Sequence, residues 1–334
     1  MKLLSRGLYW VLRVLLALVA IVAILWVTGA LFYDSPWPAL RKPLAIIWFL
    51  GAVVAWFWIR PRMISRVVVL VAMAAVLGWW LTLQPRDDRD WQEYMSQAPW
   101  AEVHGDVIIL HNFRHTAYRT YTDYTPHWET RTVNLAKLTG IDIGMDYWGS
   151  EWIAHPVVSF QFSDTLPVAF SIETRREKPE GYSAIGGLYR QYELLYVVGD
   201  ERDLFGIRAI HSPKNTMYLY RTKTTPEKAR ERFMEYINAM NKLKEHPRWY
   251  NAATTNCTTT VRTQRPMTNR TPWDWRILFN GKLDEMMYEQ NAIATDGLPF
   301  PELKKSAAIN EAARAVGDSP EFSRLIRESR PGFQ

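Results

Sequence analysis

The sequence contains very little cysteine: Cys257 is the only one among 334 residues. One cysteine excludes an internal disulfide and any zinc or iron–sulfur site built from several thiolates. The formal net charge is only +6, and no lysine- or arginine-rich run alternates with aromatic residues. This pattern argues against nucleic acid as a partner. His111 and His115 lie close together but have no evident third ligand, so we expect no metal and no other cofactor.

Charged residues are missing from residues 14–33, an apolar run long enough to span a bilayer. Two shorter apolar runs cover residues 44–59 and 67–83. A cleaved signal peptide is the alternative for the first run, but the run is long and no clear small-residue cleavage site follows it. A buried hairpin of the core is the alternative for the other two. We predict a membrane anchor of about three transmembrane helices over residues 1–83.

Basic residues around these runs predict how the anchor is oriented, because lysine and arginine favour the cytoplasmic side. They flank the first run and separate the second from the third: Lys2, Arg6, Arg13, Arg60, Arg62 and Arg66. The loop between the first two runs has only Arg41 and Lys42. The chain after residue 83 then lies outside the cytoplasm, which in a bacterium means the periplasmic side of the inner membrane. A lone cysteine in that oxidising compartment is a candidate reactive thiol.

The polar part of the chain alternates strand and helix patterns and predicts an α+β fold, including a strand over residues 189–198 and a helix from Trp273 to about Gln290. We predict a linker helix over residues 84–100 and a periplasmic catalytic domain over residues 101–334. Two strands, residues 153–162 and 166–175, form a hairpin if residues 163–165 are its turn. In that register Val158 faces Phe170, and His155 faces Glu173. Directly opposed side chains lie roughly 5 Å apart, so the carboxylate can orient the imidazole and stabilise its charged form.

Cys257 lies in a small, polar stretch, residues 251–260, where a helix is expected to begin. The positive end of a helix favours thiolate over thiol, and free backbone N–H groups there can stabilise an oxyanion, which makes Asn256 and Thr258 candidates for that site. The alternative is a small buried apolar residue. A nucleophilic thiol needs an oriented base. His155 has an opposed carboxylate, whereas His246 lies at a predicted helix end, where it caps the helix.

Further candidates for substrate binding follow Glu173 in the sequence. Arg175 and Arg176 come first, with solvated surface charge as the alternative reading, and Tyr182 lies in the loop that follows.

Several separated motifs occur in one order along the chain: SEWIAHPVVSF from residue 150, SIETRRE from 171, YSAIGG from 182, RQYEL from 190, DERD from 200 and NCTT from 256. With these motifs the chain resembles the DUF4105 family, which includes the Lnb-type lipoprotein N-acyltransferases. The resemblance extends from about residue 91 to the C-terminal region.

This resemblance implies a circularly permuted papain-like domain of the NlpC/P60 type, with an antiparallel sheet, packed helices and the histidine strand before the cysteine helix. It makes Cys257 the nucleophile and His155 the base. Glu173 takes the third position from the hairpin register. The implied activity moves a fatty acyl chain from a membrane phospholipid, through a thioester on Cys257, to the N-terminal amine of a lipoprotein. With such a donor, Arg175 and Arg176 are expected to contact its phosphate headgroup. A periplasmic cysteine hydrolase or peptidase, and a non-catalytic membrane-anchored binding module, are the alternatives.

Overall fold

The chain folds as two units in a computed structural model that describes residues 2–265, 270 and 272–333. One unit consists of Met1–Arg86 and Gly181–Tyr192, and the other of Asp87–Glu180 and Glu193–Gln334. Residues 181–192 therefore interrupt the domain predicted for residues 101–334. Met1, where the first predicted domain begins, and Gln334, where the last one ends, lie outside the described residues.

The first unit contains three helices that are long and apolar enough to cross a membrane. They are α1 (Lys2–Tyr33), α2 (Pro38–Phe57) and α3 (Arg62–Thr82). The second and third helices are longer than the apolar runs at residues 44–59 and 67–83. Helix α2 begins at Pro38, because proline has a backbone angle that suits the first helical turn and has no N–H group to lose there. Buried contacts join the three helices through Ile24, Ala52 and Val69.

Gly181–Tyr192 packs within this first unit. The Arg190 guanidinium donates hydrogen bonds to the carbonyl oxygens of Trp80 at 2.6 Å and Leu83 at 2.7 Å, at the C-terminal end of α3. The same guanidinium lies 4.0 Å from the centre of the Trp80 ring. The Leu83 N–H caps the helix by donating to the Trp80 carbonyl at 3.3 Å, and the Arg190 cation stabilises the same negative end of the helix. The strand expected from Tyr189 onward begins only at Glu193.

The second unit is an α+β structure. Its strands are β1 (Trp100–His104), β2 (Val107–Arg114), β3 (Ala117–Tyr118), β4 (Tyr124–Thr125), β5 (Trp128–Asn134), β6 (Leu138–Trp148), β7 (Ala154–Phe162), β8 (Val168–Arg175), β9 (Glu193–Gly199) and β10 (Asn215–Arg221). Its helices are α4 (Glu201–Leu204), α5 (Gly206–Ala209), α6 (Pro226–Glu245), α7 (Cys257–Thr263), α8 (Leu283–Glu289), α9 (Phe300–Ala307), α10 (Asn310–Val316) and α11 (Phe322–Leu325).

The main sheet is mixed, whereas the sequence predicted an antiparallel one. Its strand order is β1-β2-β9-β8-β7-β6-β10, with β5 paired to β2. Strand β2 runs parallel to β9, and the other pairs are antiparallel. A parallel pair needs a long connection between its strands, and the chain between β2 and β9 provides one.

The β7–β8 hairpin has the predicted register: Val158 pairs with Phe170 and Phe160 with Val168. Alternation then places Phe160 and Phe170 on the face covered by α6, where their rings contact Phe233 and Tyr236 edge-on. The ladder stops at Val157–Ser171, next to Pro156, which has no N–H to donate.

Two predicted helices are wrong. Residues 84–100 contain a short 3₁₀ turn, Glu93–Met95, and no α-helix. Their apolar residues Trp91 and Met95 are buried, and Pro85 and Pro99 interrupt helical hydrogen bonding. The helix expected from Trp273 begins only at Leu283, after two 3₁₀ turns.

Candidate functional site

Helix α7 begins at Cys257 because the preceding loop is built to start a helix there. The Asn256 side-chain oxygen accepts a hydrogen bond from the Thr259 N–H at 2.9 Å, and the Thr259 hydroxyl accepts one from the Asn256 N–H at 2.9 Å. The Asn256 amide nitrogen donates to the Ala252 carbonyl at 2.9 Å. This capping box satisfies N–H groups that the helix cannot. The buried Cys257 therefore occupies the first helical position.

The capping box changes the expected role of Asn256. Its backbone N–H donates to the Thr259 hydroxyl, so the helix start uses this N–H group and an oxyanion does not. The Thr258 hydroxyl, in contrast, lies 3.7 Å from the Cys257 sulfur.

Asn280 connects the cysteine helix to the histidine strand. Its side-chain oxygen accepts a hydrogen bond from the Ala154 N–H at 2.9 Å, one residue before His155. This contact turns its amide nitrogen toward α7, where it donates to the Cys257 sulfur at 3.6 Å and the Thr258 hydroxyl at 3.2 Å. A donor held against the sulfur can also reach the oxygen of a carbonyl that the sulfur attacks.

Gly281 allows Asn280 to come this close. Its N–H donates to the Trp152 carbonyl at 3.1 Å. A Cβ atom at this position would lie 2.3 Å from the carbonyl oxygen of Glu151. Since real Cβ atoms do not approach that closely, only glycine fits where the loop packs against the chain entering β7.

His155 meets Glu173 across the β7–β8 hairpin, as the predicted register requires. The His155 Nε2 atom lies 3.3 Å from Glu173 Oε1 and 2.6 Å from the Ser171 hydroxyl. That hydroxyl donates to Glu173 Oε1 at 2.5 Å. Serine and carboxylate together engage Nε2, so Nδ1 is the ring nitrogen left for the sulfur.

Arg208, from α5, completes the group around the carboxylate. Its Nη2 atom donates to Glu173 Oε1 at 2.5 Å, and its Nε atom lies 3.5 Å from Asp146 Oδ2. Asp146 pairs with His155 across β6 and β7 and also accepts from Asn215 at 2.9 Å. The carboxylate of Glu173 is thus held from two sides, which limits its movement away from the imidazole.

The electrostatics couple the thiol to the imidazole. Burial by itself lowers the pKa of His155, but the Glu173 charge and the contact with Cys257 outweigh burial and raise this pKa to about 10. Burial by itself raises the pKa of Cys257, but the hydrogen bond and charge of His155 outweigh burial and lower it from the ordinary 9.0. Burial by itself also raises the pKa of Glu173, but the charges of His155 and Arg208 outweigh burial and hold this pKa well below its usual range. These directions favour a thiolate beside an imidazolium.

One of the three further substrate-binding candidates, Arg175, is placed differently from the prediction. Arg175 is buried: it donates to the carbonyl oxygens of Met95 at 2.9 Å and Ser96 at 2.7 Å and forms an ion pair with Asp87. The expectation that it meets a headgroup is wrong, because its hydrogen-bonding capacity is used inside the fold. Arg176 is half-buried and donates to the Tyr94 hydroxyl at 2.6 Å. Tyr182 is exposed and stacks on Tyr192 within the first unit.

Two other histidines each bond to a carboxylate outside the candidate site, and a third lies at the end of a helix. His111 contacts Glu102 at 2.9 Å, and His115 contacts Asp200 at 2.7 Å. His246 is the C-cap of α6, as expected. Among residues 2–265, 270 and 272–333, no group of three or more His, Cys, Asp and Glu side chains is arranged to hold a metal.

Sequence reasoning missed Ser171, Arg208 and Asn280. Ser171 lies two residues before Glu173, so strand alternation could have placed it on the same face. Arg208 and Asn280 lie far from His155 in sequence and reach it only through the fold.

Residues 124–281 match a family model described as the Lnb N-terminal periplasmic domain. The Lnb match supports the predicted resemblance over a narrower range and includes every residue of the site: His155, Ser171, Glu173, Arg208, Cys257 and Asn280. The Lnb periplasmic description and the three apolar helices together fit a membrane protein with a periplasmic domain. No curated protein and no solved structure matches the chain.

Proposed function

We propose that this chain is a membrane-bound cysteine acyltransferase of the Lnb type, with a permuted papain-like domain on the periplasmic side of a bacterial inner membrane. The observation that carries the proposal is the coupling of Cys257 to the histidine strand. Asn280 bonds both to the Ala154 N–H, next to His155, and to the Cys257 sulfur, while Ser171 and Glu173 lie against the Nε2 atom of His155. A buried cysteine with only a packing role needs no such coupling, since an apolar pocket by itself raises the thiol pKa.

The first half-reaction forms the thioester. The Cys257 thiolate attacks the carbonyl carbon of a phospholipid acyl ester, and the oxygen of that carbonyl gains the negative charge. In this proposal, the amide nitrogen of Asn280, which donates to the sulfur at 3.6 Å, and the first backbone N–H groups of α7, at Cys257 and Thr258, stabilise this charge. The C–O bond then breaks, His155 gives its proton to the departing lysophospholipid oxygen, which becomes a hydroxyl, and the acyl chain remains on the sulfur.

The second half-reaction moves the acyl chain to an amine. The α-amine of the diacylglyceryl-cysteine at a lipoprotein N-terminus attacks the thioester carbonyl, and neutral His155 accepts the proton that the amine loses. The C–S bond breaks, an amide forms and the thiolate returns. Both substrates reside in the bilayer, so three membrane-spanning helices keep the enzyme where they are concentrated.

The proposal is tested by complementing a strain that lacks its own apolipoprotein N-acyltransferase. The full chain should restore growth and N-acylated lipoproteins, and Cys257→Ala should not. Matched expression and the same melting temperature for both proteins exclude misfolding as the cause. If the Cys257→Ala protein restores growth as well as the parent chain, the nucleophile assignment is wrong. If the folded parent chain releases fatty acid to water and acylates no amine, it is a hydrolase.

A further inference from the structure

Three aromatic side chains form an exposed cluster, here called the aromatic patch: Trp152, Trp275 and Phe279. Their ring centres lie 6.2 Å apart for Trp152–Trp275, 6.4 Å for Trp152–Phe279 and 6.1 Å for Trp275–Phe279. Their exposed fractions are 46%, 51% and 53%. Ile153 and Leu278 beside them are also exposed. Contiguous apolar surface of this kind marks an interaction site, because it is costly to leave in water.

The patch lies at the edge of the candidate site. Trp152 comes three residues before His155, and Phe279 directly precedes Asn280, which contacts the Cys257 sulfur. The hydrogen bond from the Gly281 N–H to the Trp152 carbonyl holds the two parts of the patch together. Any surface that covers the patch therefore also comes next to the nucleophile.

The charges around the patch are paired. Lys282 lies 5.0 Å from the Trp152 ring centre and forms an ion pair with Glu151 at 2.8 Å. Arg276 lies 6.0 Å from the Trp275 ring centre and pairs with Asp274 at 2.9 Å and Glu289 at 2.6 Å. Because each cation has an acidic partner, the patch does not select a strongly anionic ligand. Two tryptophans with polar N–H groups and balanced charges instead suit the zwitterionic headgroup region of a bilayer.

We propose that the aromatic patch docks onto the phospholipid bilayer surface and brings the opening of the cysteine site to the headgroup level. The inference rests on the proposed function for its purpose, since an ester at the bilayer surface is the acyl donor. Docking itself requires no reaction at Cys257. The three apolar helices already attach the chain to a membrane, so even a weak interfacial contact is populated at the resulting high local lipid concentration.

The single cysteine makes a direct test possible in the full chain. Cys257→Ala gives a cysteine-free protein, into which Leu278→Cys places one thiol beside the patch and leaves all three aromatic residues intact. Leu166→Cys is the matched control, because Leu166 is similarly exposed, at 47% against 43%. Leu166 lies in the hairpin loop beyond the other end of β7, roughly 25 Å away at about 3.3 Å per residue. Each protein is labelled with a polarity-sensitive fluorophore and reconstituted into phosphatidylcholine vesicles.

The label at position 278 should emit at shorter wavelength than the label at 166, and a spin-labelled lipid with its quencher near the headgroup should quench it more strongly. Added salt should change neither result, because the patch is electrically balanced. Adding Trp275→Gln should reduce the quenching at 278. Equal, water-like emission and equal quenching at both positions would overturn the proposal. A shielded label at 278 that no lipid quencher reaches would overturn it in favour of a protein partner.

A kinetic comparison separates this proposal from the acyl-transfer chemistry. In the chain that retains Cys257, Trp275→Gln should lower acyl-Cys257 formation from vesicle phospholipid by about tenfold, which corresponds to ~1.4 kcal/mol. The same variant should leave acylation by a water-soluble thioester unchanged. If the label at 278 is quenched by lipid but Cys257 accepts no acyl group from either donor, docking stands and the proposed chemistry fails. An equal loss with both donors means that Trp275 supports the site and does not dock on lipid.

Discussion

Glu173→Gln removes one negative charge from the site and leaves a side chain of nearly the same shape. Glu173 Oε1 lies 3.3 Å from His155 Nε2, and both side chains are largely buried. The positive charge of Arg208 remains, since Asp146 also pairs with it. The variant therefore leaves a cation beside the imidazole without the carboxylate between them. The imidazolium should be strongly disfavoured.

Two estimates give the size of this effect. Two unit charges 3.3 Å apart interact by about 5 kcal/mol at an effective dielectric constant of ~20. A fall in the pKa of His155 from about 10 to the ordinary 6.5 also corresponds to about 5 kcal/mol. Cys257 contributes part of the raised pKa, so this value is an upper bound for Glu173. Glutamine can still hold the ring by a hydrogen bond, and we expect a loss of roughly a hundredfold to a thousandfold in acyl-Cys257 formation.

The assay has two readouts. The first is NMR titration of the His155 ring. Its pKa should fall from about 10 in the parent chain toward 6.5 or below in Glu173→Gln. The second is the pH profile of acyl-Cys257 formation, whose alkaline limb reports loss of the imidazolium and should shift to lower pH in parallel. Glu129→Gln is the matched control, because Glu129 pairs with Arg131 at 2.6 Å on β5, outside the site. A His155 pKa that stays near 10 in Glu173→Gln would show that the carboxylate does not raise it.

Three further changes test other parts of the site. Asn280→Ala should lower the rate of acyl-Cys257 formation about a hundredfold with little change in KM, because it removes an oxyanion donor, and steady-state kinetics with a soluble thioester measures this. Gly281→Ala should lower both activity and melting temperature, since its Cβ would lie 2.3 Å from the Glu151 carbonyl oxygen and must displace the loop that holds Asn280; full activity would contradict that account. Alkylation of Cys257 by iodoacetamide should rise through a midpoint below 9.0. That midpoint should move to higher pH in His155→Ala, where burial remains and the imidazolium is lost; an unchanged midpoint would show that the two groups are not coupled.

The part of the site that could be predicted from sequence is the part made by neighbouring segments. His155 and Glu173 are close in sequence, and the apolar alternation of β7 and β8 permits one register that buries a continuous face.

The missed residues are supplied by contacts between distant segments. Nothing in the local pattern around Asn280 indicates that Gly281, the next residue, packs against the chain at Glu151. That packing places the side-chain amide of Asn280 at Cys257. Arg208 likewise reaches Glu173 from a four-residue helix whose position depends on the whole sheet. Local propensity and alternation carry no information about such pairings.

Arg175 was predicted to be a site residue, but it is part of the buried fold. Its closeness to Glu173 in sequence suggested a role in binding a headgroup, but its guanidinium is buried among the carbonyls of Met95 and Ser96, about 80 residues away in the chain. Sequence alone cannot tell an arginine that faces a ligand from one that satisfies buried backbone oxygens. The Cys257 helix was predictable because its capping signal, Asn256 followed by threonine three residues later, is local.

The most direct test of the central claim is the mass of the full chain after incubation with phospholipid vesicles and no acceptor amine. The thioester account predicts an added fatty acyl mass located on Cys257, removed by hydroxylamine and absent from Cys257→Ala. A folded parent chain that gains no mass on Cys257, or gains a peptide-sized one, would contradict it.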